Sequence, residues 1–355
     1  MKRFLATPER RRACAFVIAL SVGFLPGLGG CDVPSGGTAQ AGGSVENATY
    51  AGNPGPSFLD RVVTAPRTVA YGGRRHVRIR YTVDGAPAHL EYDEQVWSDG
   101  QGRSAIVPGD VQRPKMSTEQ LDLFQAMQEA RDGFFYSYRD FRIRDLQLFL
   151  ENWRVRDTGL QETVAGVPTS VLEFRRIDGS LPWYRAWIDP LTALVLRAEE
   201  HGEGNQLASS VEFLTFQLAP DTTGLGLQDD QFVRTPFDPA SDTTASLGFQ
   251  VRPPTLLPEG YRLERAESTT DGTNTWAILT YTDGVDSMFF LQSFDPQLAA
   301  GQSPPGEYNV GPKVARGYRF GPWTVLQLRS NGDRVSVIGK ADSLAIERML
   351  KSSMH

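Results

Sequence analysis

The chain offers little of the side-chain chemistry that catalysis requires. Its four histidines, His76, His89, His201 and His355, lie too far apart in sequence for a paired zinc motif. No G-x-S-x-G stretch is present to form the nucleophile turn of a serine hydrolase. Acidic pairs such as Glu199-Glu200 are adjacent, and adjacent side chains on a strand point to opposite faces, so they do not indicate a general acid and base. We therefore expect a binding protein with no catalytic residues, metal ion or cofactor.

The clearest predicted chemistry is lipidation of Cys31. This residue follows Gly29 and Gly30 at the end of a segment with a basic start and an apolar stretch over Ala13–Leu25. Such a segment is typical of a signal peptide and is too short to span a bilayer. The pattern resembles the cleavage site of bacterial lipoproteins, in which the cysteine sulfur receives diacylglycerol. The alternative is a plain secretory signal with a chance cysteine, and under either interpretation the remainder is exported.

Asp32 follows the cysteine and resembles the signal that retains some Gram-negative lipoproteins at the inner membrane. We therefore expect a membrane-anchored protein that faces the periplasm, with the inner membrane favoured and the outer membrane left open. Attachment through several acyl chains is much firmer than through one.

Charge and cysteine usage exclude other classes of function. The net charge of −6 disfavours non-specific binding to nucleic acid. Cys14 lies in the predicted signal and Cys31 at its end, and the chain has no other cysteine. The exported part therefore has no disulfide and no thiol nucleophile.

The composition along the chain predicts five parts. Residues 1–30 form the signal peptide, and 31–56 form a flexible tether of small and polar residues that cannot bury enough surface to order itself. Residues 57–219 form a first domain and 248–355 a second. The stretch 220–247 between them is dominated by Asp, Thr, Gly, Pro and Ser and is interpreted as a linker.

Alternating apolar residues predict an antiparallel sheet in the first domain. Strands are expected over 77–81, 90–92, 171–177, 183–188, 194–199 and 211–218, with Gly- and Asp-containing turns between them. Helices are expected after Ser117 and over 143–153, where apolar residues recur at helical spacing. Trp183 and Trp187 alternate with Tyr184 and Ile188, so both faces of this sheet carry large apolar side chains. Such a sheet either has other elements packed on both of its faces or encloses a cavity.

Four strands and one terminal helix are expected in the second domain. The strands fall at 276–281, 288–294, 323–328 and 334–338, and a helix capped by Asp342 follows. This arrangement predicts a small α+β domain.

Two clusters outside these elements are candidates for binding. Four aromatic residues lie within five positions, at Phe134, Phe135, Tyr136 and Tyr138. With Trp183 and Trp187 they could line a ligand mouth or face a partner; the alternative is a hydrophobic plug that closes the sheet. Arginines at four nearby positions could contact anionic lipid headgroups, or could simply form a solvated strand face. These are Arg74, Arg75, Arg78 and Arg80.

Several segments resemble one known family in their order and spacing. In the first domain the resemblance runs from Asn152 through WRVRDTGLQETVAGVPTSVLEFRRIDG and WYRAWIDPLTALVLRAEE. In the second it is carried by LLPEGY, YTDGVDSMFFLQS and VSVIGKADSLAIERML. These are turn and core features that are similar to those of MucB/RseB-like regulators of sigma factors, whose first domain resembles the lipoprotein carrier LolA. The lipidation site and the insert before Leu247 depart from the family pattern.

This resemblance implies a fold and a function. The fold would be α+β and mainly β: a half-open antiparallel β-barrel covered by helices, followed by a small α+β domain. The function would be envelope stress regulation through binding of the periplasmic segment of a membrane anti-sigma factor or a similar protein, and of lipid or an acyl chain. A periplasmic carrier of lipoproteins or lipid is the alternative, and an envelope lipoprotein without a ligand is a third possibility.

Overall fold

The structure is a computed structural model in which two antiparallel sheets follow one another along the chain. It describes residues 55–83, 86–112, 138–229, 234–270, 275–294, 307–310, 313–320, 322–330, 332–341 and 343–353. We refer to the part up to residue 229 as the first unit and the part from residue 234 as the second unit.

The first unit is built on a ten-stranded sheet. Its strands are β1 (Ala70–Val83), β2 (Ala86–Asp99), β3 (Arg103–Gln112), β4 (Trp153–Val164), β5 (Val167–Arg176), β6 (Trp183–Ile188), β7 (Val195–His201), β8 (Leu207–Phe213), β9 (Gln217–Leu218) and β10 (Gln228–Asp229). The strand order is β10-β3-β2-β1-β8-β7-β6-β5-β4, with β9 paired to β1, and every pair is antiparallel. The sheet does not close, because β4 and β10 at its two ends are not paired with each other.

Two of the described helices cover the inner face of this sheet. They are α1 (Pro56–Thr68) and α2 (Leu146–Asn152), and Asp145 caps α2 by accepting a hydrogen bond from the backbone N–H of Leu148 at 2.9 Å. Leu59 and Val62 of α1 and Phe149 of α2 pack with Phe174 and Tyr184 of the sheet. The inner face therefore carries one continuous hydrophobic core.

The second unit contains an eight-stranded antiparallel sheet and a terminal helix. Its elements are β11 (Thr235–Pro236), α3 (Thr244–Leu247), β12 (Arg262–Thr270), β13 (Thr275–Thr282), β14 (Ser287–Phe294), β15 (Glu307–Val310), β16 (Lys313–Phe320), β17 (Trp323–Ser330), β18 (Asp333–Gly339) and α4 (Ser343–Ser352). The order is β11-β12-β13-β14-β18-β17-β16-β15. Ile346, Met349 and Leu350 of α4 are fully buried against this sheet.

The predicted fold class is confirmed: the protein is mainly β, and its antiparallel sheets are not closed into a barrel. Strand β6 has its predicted bounds, and β5 to β8 form the predicted meander. The helix expected over 143–153 is shorter, because Trp153 already begins β4. The helix expected after Ser117 and the cap at Asp342 lie outside the described residues.

The stretch predicted as a linker contains regular structure in both units. β10 pairs with β3 of the first sheet, and β11 pairs with β12 of the second. Leu247 is buried in the second core. The change from one sheet to the other thus falls between residues 229 and 235, inside the predicted linker.

Candidate functional site

The two units meet in a buried junction to which the second unit contributes a tight turn. The turn Asp283–Asp286 connects β13 to β14, and Val285 at its tip belongs to the hydrophobic core of the first unit. The carbonyl of Gly284 accepts hydrogen bonds from the backbone N–H groups of Arg144 and Asp145, at 2.8 and 3.4 Å. The turn is therefore held by the first unit through both backbone hydrogen bonds and apolar burial.

Gly284 is required for this close approach. Its φ of +101° lies in the region that glycine adopts without penalty. A Cβ atom at this position would stand 2.4 Å from the backbone nitrogen of Phe149. Because the obstacle is backbone in α2, no side-chain rotation can relieve the overlap.

A second set of contacts surrounds the turn. The buried guanidinium of Arg176 pairs with the carboxylate of Asp283 and donates a hydrogen bond to the carbonyl of Glu259 at 2.8 Å. The Asn152 amide donates to the carbonyls of Gly260 and Asp283, at 3.0 and 3.1 Å. These bonds join α2 and β5 to two separate loops of the second unit.

Lys340 is the centre of a third set of contacts. It directly follows β18, and its ammonium lies 2.9 Å from Glu200 Oε2 and 3.4 Å from Asp286 Oδ1. It also donates to the hydroxyl of Tyr184 at 3.2 Å, and that hydroxyl donates to Asp286 at 2.5 Å. All four side chains are buried, so a charge here depends on its partners and not on water.

Burial and the close charges shift the titration of these groups. Burial and the nearby Asp286 raise the pKa of Asp283 from 3.8 to about 7, although Arg176 opposes the change. Burial also raises the pKa of Glu200, against the effect of Lys340. Burial alone lowers the pKa of Lys340, but the carboxylates of Glu200 and Asp286 raise it above its ordinary value.

The raised pKa of Asp283 predicts that the junction is more stable in mild acid. Between about pH 4 and about pH 7 the folded state holds a proton on Asp283 that the unfolded chain has lost, so stability falls as pH rises through this range. We expect the thermal unfolding midpoint to be higher at pH 5 than at pH 8. In Asp283→Asn most of this slope should disappear, with a remainder from Glu200.

Asp242→Asn is the matched control, because Asp242 is an exposed turn residue distant from the junction in sequence. Its midpoint should follow that of the unaltered chain at each pH. An unchanged slope in Asp283→Asn would show that the buried carboxylate is not what titrates.

The junction was not predicted as a site, yet its residues come from the segments that carry the sequence resemblance. Arg176, Tyr184 and Glu200 lie in the two first-domain segments. Glu259, Asp283–Asp286 and Lys340 each lie in a different one of the three second-domain segments. Acidic residues inside an otherwise apolar stretch, as in YTDGVDSMFFLQS, were the signal available in the sequence.

Tyr138 also bridges the two units. Its ring packs edge-on against Phe289 at 4.6 Å and lies under the guanidinium of Arg144 at 4.3 Å, and its hydroxyl accepts a hydrogen bond from Arg265. The other members of the predicted aromatic cluster, Phe134, Phe135 and Tyr136, lie outside the described residues. Their role in ligand or partner binding stays a prediction.

Trp183 and Trp187 lie on the face of β6 opposite to Tyr184 and Ala186, and Trp187 also belongs to the hydrophobic core of the first unit. Arg175 lies over the ring of Trp183 and Arg197 over that of Trp187, each at 4.1 Å. Both tryptophans are buried. Arginine side chains thus cover the two tryptophans on the outer face of β6.

The structure does not bring the four predicted arginines to one surface. Arg74, Arg78 and Arg80 share the outer face of β1, where Arg78 pairs with Glu91 at 2.9 Å and Arg74 lies 3.8 Å from Asp93. Arg75 points to the inner face and is buried. Headgroup contact therefore stays a prediction for the three outer arginines, and Arg75 is not available for it.

Arg75 belongs to a buried ionic network that fixes the segment before α2. It contacts Glu94 at 2.5 Å and Asp140 at 2.8 Å, and Arg139 binds the same Glu94 through two nitrogens at 2.8 and 3.0 Å. Arg139 also donates to the hydroxyl of Tyr92. Burial would raise the pKa of Asp140, but the two arginines hold it far below its ordinary value. The network fastens residues 138–141 across the inner face of the sheet.

A small cavity lies beside this network. Its volume is about 50 Å³, and its walls come from α1, β1, β7, β8 and residues 140–142. This space suits a few water molecules, whereas ligand pockets commonly measure about 300 Å³ or more. Arg75 and Asp140 in its wall are charged. Phe141, Phe149 and Tyr184 belong to the hydrophobic core of the first unit.

No metal or membrane-spanning element is found among the described residues. No cluster of three or more His, Cys, Asp or Glu side chains there is arranged to hold a metal ion. No described helix is long and apolar enough to cross a bilayer.

Comparisons with known proteins connect the chain to solved structures only. No protein-family model matches it, and no curated protein does. A crystal structure of MucB in complex with MucA(peri) is 18% identical, with a TM-score of 0.47 over 83% of this chain and 97% of that chain. The MucA/MucB complex of Pseudomonas aeruginosa is 17% identical, with a TM-score of 0.45 over 82% and 95%. A LolA superfamily protein from Nitrosomonas europaea is 10% identical, with a TM-score of 0.18 over 81% and 93%. The predicted resemblance to MucB and to LolA-like proteins is thus found among solved structures.

Proposed function

We propose that this chain is a lipid-anchored envelope protein that regulates a stress response by binding the periplasmic segment of a membrane anti-sigma factor or a similar protein. The observation that carries the proposal is the junction: the segments whose sequence resembles MucB/RseB-like regulators are those that join the two units. A buried ionic junction holds two sheets in one relative position. A partner segment can then contact both units without ordering them first, which reduces the entropic cost of binding.

The lipid carrier alternative has less support from the described residues. A carrier must enclose an acyl chain, and the inner face of the first sheet is filled by aromatic side chains of the protein itself. The 50 Å³ cavity next to that core is partly charged. Regulation through a protein partner needs no such hollow.

Affinity capture from envelope extracts tests the proposal. The full chain, carrying a C-terminal tag, is expected to recover a membrane protein with a periplasmic segment, and mass spectrometry identifies it. Recovery of lipid or lipoproteins without such a membrane protein would favour the carrier.

Cys31→Ser tests the anchor separately. Without the sulfur no diacylglycerol can be attached, so we expect the variant to move from the membrane fraction to the periplasmic fraction. Metabolic labelling with a tritiated fatty acid should label the unaltered chain and not the variant. Cys14→Ser, inside the predicted signal, is the control and should leave labelling unchanged. If Cys31→Ser is labelled as strongly as the unaltered chain, the fatty acid is not attached at Cys31 and the proposed anchor is wrong.

A further inference from the structure

Strand β4 presents a long open edge at the end of the first sheet. It spans Trp153–Val164 and pairs with β5 on one side, and no described strand pairs on its other side. The backbone N–H of Ile177 donates to the carbonyl of Asn152 at 2.8 Å. Hydrogen-bonded pairs alternate along an antiparallel ladder, so the N–H and C=O groups of Val155 and Asp157 point away from β5. Edges of this length are normally shielded, because they can pair with another chain.

Four arginines lie on the outer face beside this edge, and we refer to them as the arginine patch. They are Arg154, Arg156, Arg175 and Arg185. The register places Arg154 opposite Arg175, and Arg156 opposite Glu173, which in turn is opposite Arg185. The whole patch thus occupies adjacent positions on three strands.

The arginine patch contains more positive charge than its own carboxylate can balance. Glu173 is buried and accepts from Arg156 at 2.6 Å and from Arg185 at 2.8 Å, while Arg175 lies 3.5 Å away. Arg154 is exposed and forms no ion pair with any described residue. One carboxylate is thus shared by three of the four cations, on a chain whose net charge is negative.

Two arginines on other strands of the same face each pair with a carboxylate, whereas Arg80 donates to Gln206. Arg78 pairs with Glu91 at 2.9 Å, and Arg197 pairs with Glu199 at 2.5 Å. Glu173 beside the β4 edge thus has three arginine partners, whereas Glu91 and Glu199 have one each. This placement argues that the patch serves that edge.

The patch is also held in position before any ligand binds. Arg175 and Arg185 lie over the ring of Trp183, at 4.1 and 5.7 Å, and Trp183 stacks on His201 at 4.0 Å. A guanidinium stacked in this way keeps its N–H groups available at its edge, where they can bind a carboxylate through two parallel hydrogen bonds. Arg156 and Arg175 retain 70% and 53% side-chain exposure.

We propose that the β4 edge binds an acidic, extended segment of another exported protein as an added antiparallel strand. Its backbone would pair with Val155 and Asp157, and alternate acidic side chains would lie over the arginine patch. Side chains on one face of a strand repeat every two residues, about 6.6–6.8 Å apart, as do Arg154 and Arg156 of β4. The open edge selects an extended backbone, and the patch selects negative charge. The inference does not depend on the identity of the partner proposed above.

Synthetic peptides test the charge requirement on the full chain. A nine-residue peptide that alternates Glu with Thr should bind, and one that alternates Lys with Thr should bind at least tenfold more weakly. In Arg154→Glu/Arg175→Glu the Glu-Thr peptide should lose at least tenfold in affinity and the Lys-Thr peptide should gain. Arg74→Glu/Arg78→Glu is the matched control, since it reverses two arginines on the same face at β1, and it should leave both affinities unchanged.

N-methylated peptides test the strand geometry without altering the protein. In an antiparallel pair, the peptide residues that face the patch have their N–H groups directed away from β4, and the intervening residues have theirs directed toward it. Methylation of the threonine nitrogens should therefore abolish binding, and methylation of the glutamate nitrogens should preserve it. Equal effects of the two methylations would overturn strand addition.

Vesicles distinguish a lipid surface from a peptide. If Arg154→Glu/Arg175→Glu abolishes binding to phosphatidylglycerol vesicles while the Glu-Thr peptide fails to bind the unaltered chain, the patch recognises membrane headgroups and the proposal is wrong. Peptide binding with the predicted methylation pattern supports it, whatever the vesicles show.

Discussion

Replacing Lys340 by Met is expected to destabilise the protein by about 3–5 kcal/mol at pH 8. The ammonium is buried and lies within 3.4 Å of the carboxylates of Glu200 and Asp286. When it is removed, these buried carboxylates have no cation beside them. Glu200, whose pKa is already raised by burial, can respond by taking up a proton. The deficit should therefore shrink at pH 5, where the folded state binds protons that the unfolded chain does not. Denaturant unfolding at both pH values measures it.

The controls for this variant separate charge from packing. Lys351→Met removes the exposed partner of Glu347, with which it forms an i,i+4 pair at 2.5 Å, and should cost less than about 0.5 kcal/mol. Lys340→Met/Glu200→Gln removes one of the stranded carboxylates and should recover part of the loss. A Lys340→Met protein as stable as the unaltered chain would mean that the junction is not held by this cluster.

Replacing Gly284 by Ala is expected to cost about 2–5 kcal/mol and to separate the two units. The positive φ adds about 1–2 kcal/mol for a residue with a Cβ, and the overlap with the backbone of Phe149 adds about 1–3 kcal/mol as overpacking does. Since the overlap is relieved only when the turn withdraws from α2, we expect calorimetry to show two transitions in place of one.

Gly166→Ala is the matched control for Gly284→Ala. Gly166 has a φ of +82°, and no atom lies within 4 Å of the position that its Cβ would take. This variant bears the conformational strain without the collision, so it should lose about 1–2 kcal/mol and keep a single transition. If Gly284→Ala and Gly166→Ala show the same loss of stability and the same number of transitions, the close approach of the turn to α2 does not hold the two units together.

The sequence predicted the strands of the first unit better than the contacts between the units. Strand β6 follows directly from its short run of aromatic and apolar residues between two turns, and the pleat then assigns each side chain to a fixed face. The pairing of Lys340 with Glu200 joins residues 140 positions apart, and no local pattern encodes it. Only the presence of acids in apolar stretches could have indicated that Asp283 and Asp286 are buried.

The same reasoning applies to the two apolar faces of β6. Apolar residues on both faces of β6 predicted a cavity or two covering layers, but periodicity does not show what covers each face. Arg175 and Arg197 cover the tryptophans, because a long cationic side chain can lie along an aromatic ring and keep its charged end in water. Phe141 fills the inner face between Phe174 and Tyr184, at ring distances of 4.7 and 5.0 Å. Long side chains from neighbouring elements thus supply both layers.

Partner binding connects the junction to the proposed function. If the partner contacts both units, a variant that separates them loses affinity even when each sheet remains folded. If the partner contacts one unit alone, separation has no effect. Stability measurements on the junction cannot distinguish these cases, and a binding measurement can.

The most direct test is therefore a calorimetric titration of the periplasmic segment of the captured anti-sigma factor into the unaltered chain, Gly166→Ala and Gly284→Ala. We predict one-to-one binding with the same Kd for the first two, and at least tenfold weaker binding for Gly284→Ala at a temperature where circular dichroism shows that its sheets are intact. Equal affinity in all three proteins, or no binding by the unaltered chain, would contradict the claim that the two units act together to hold a partner.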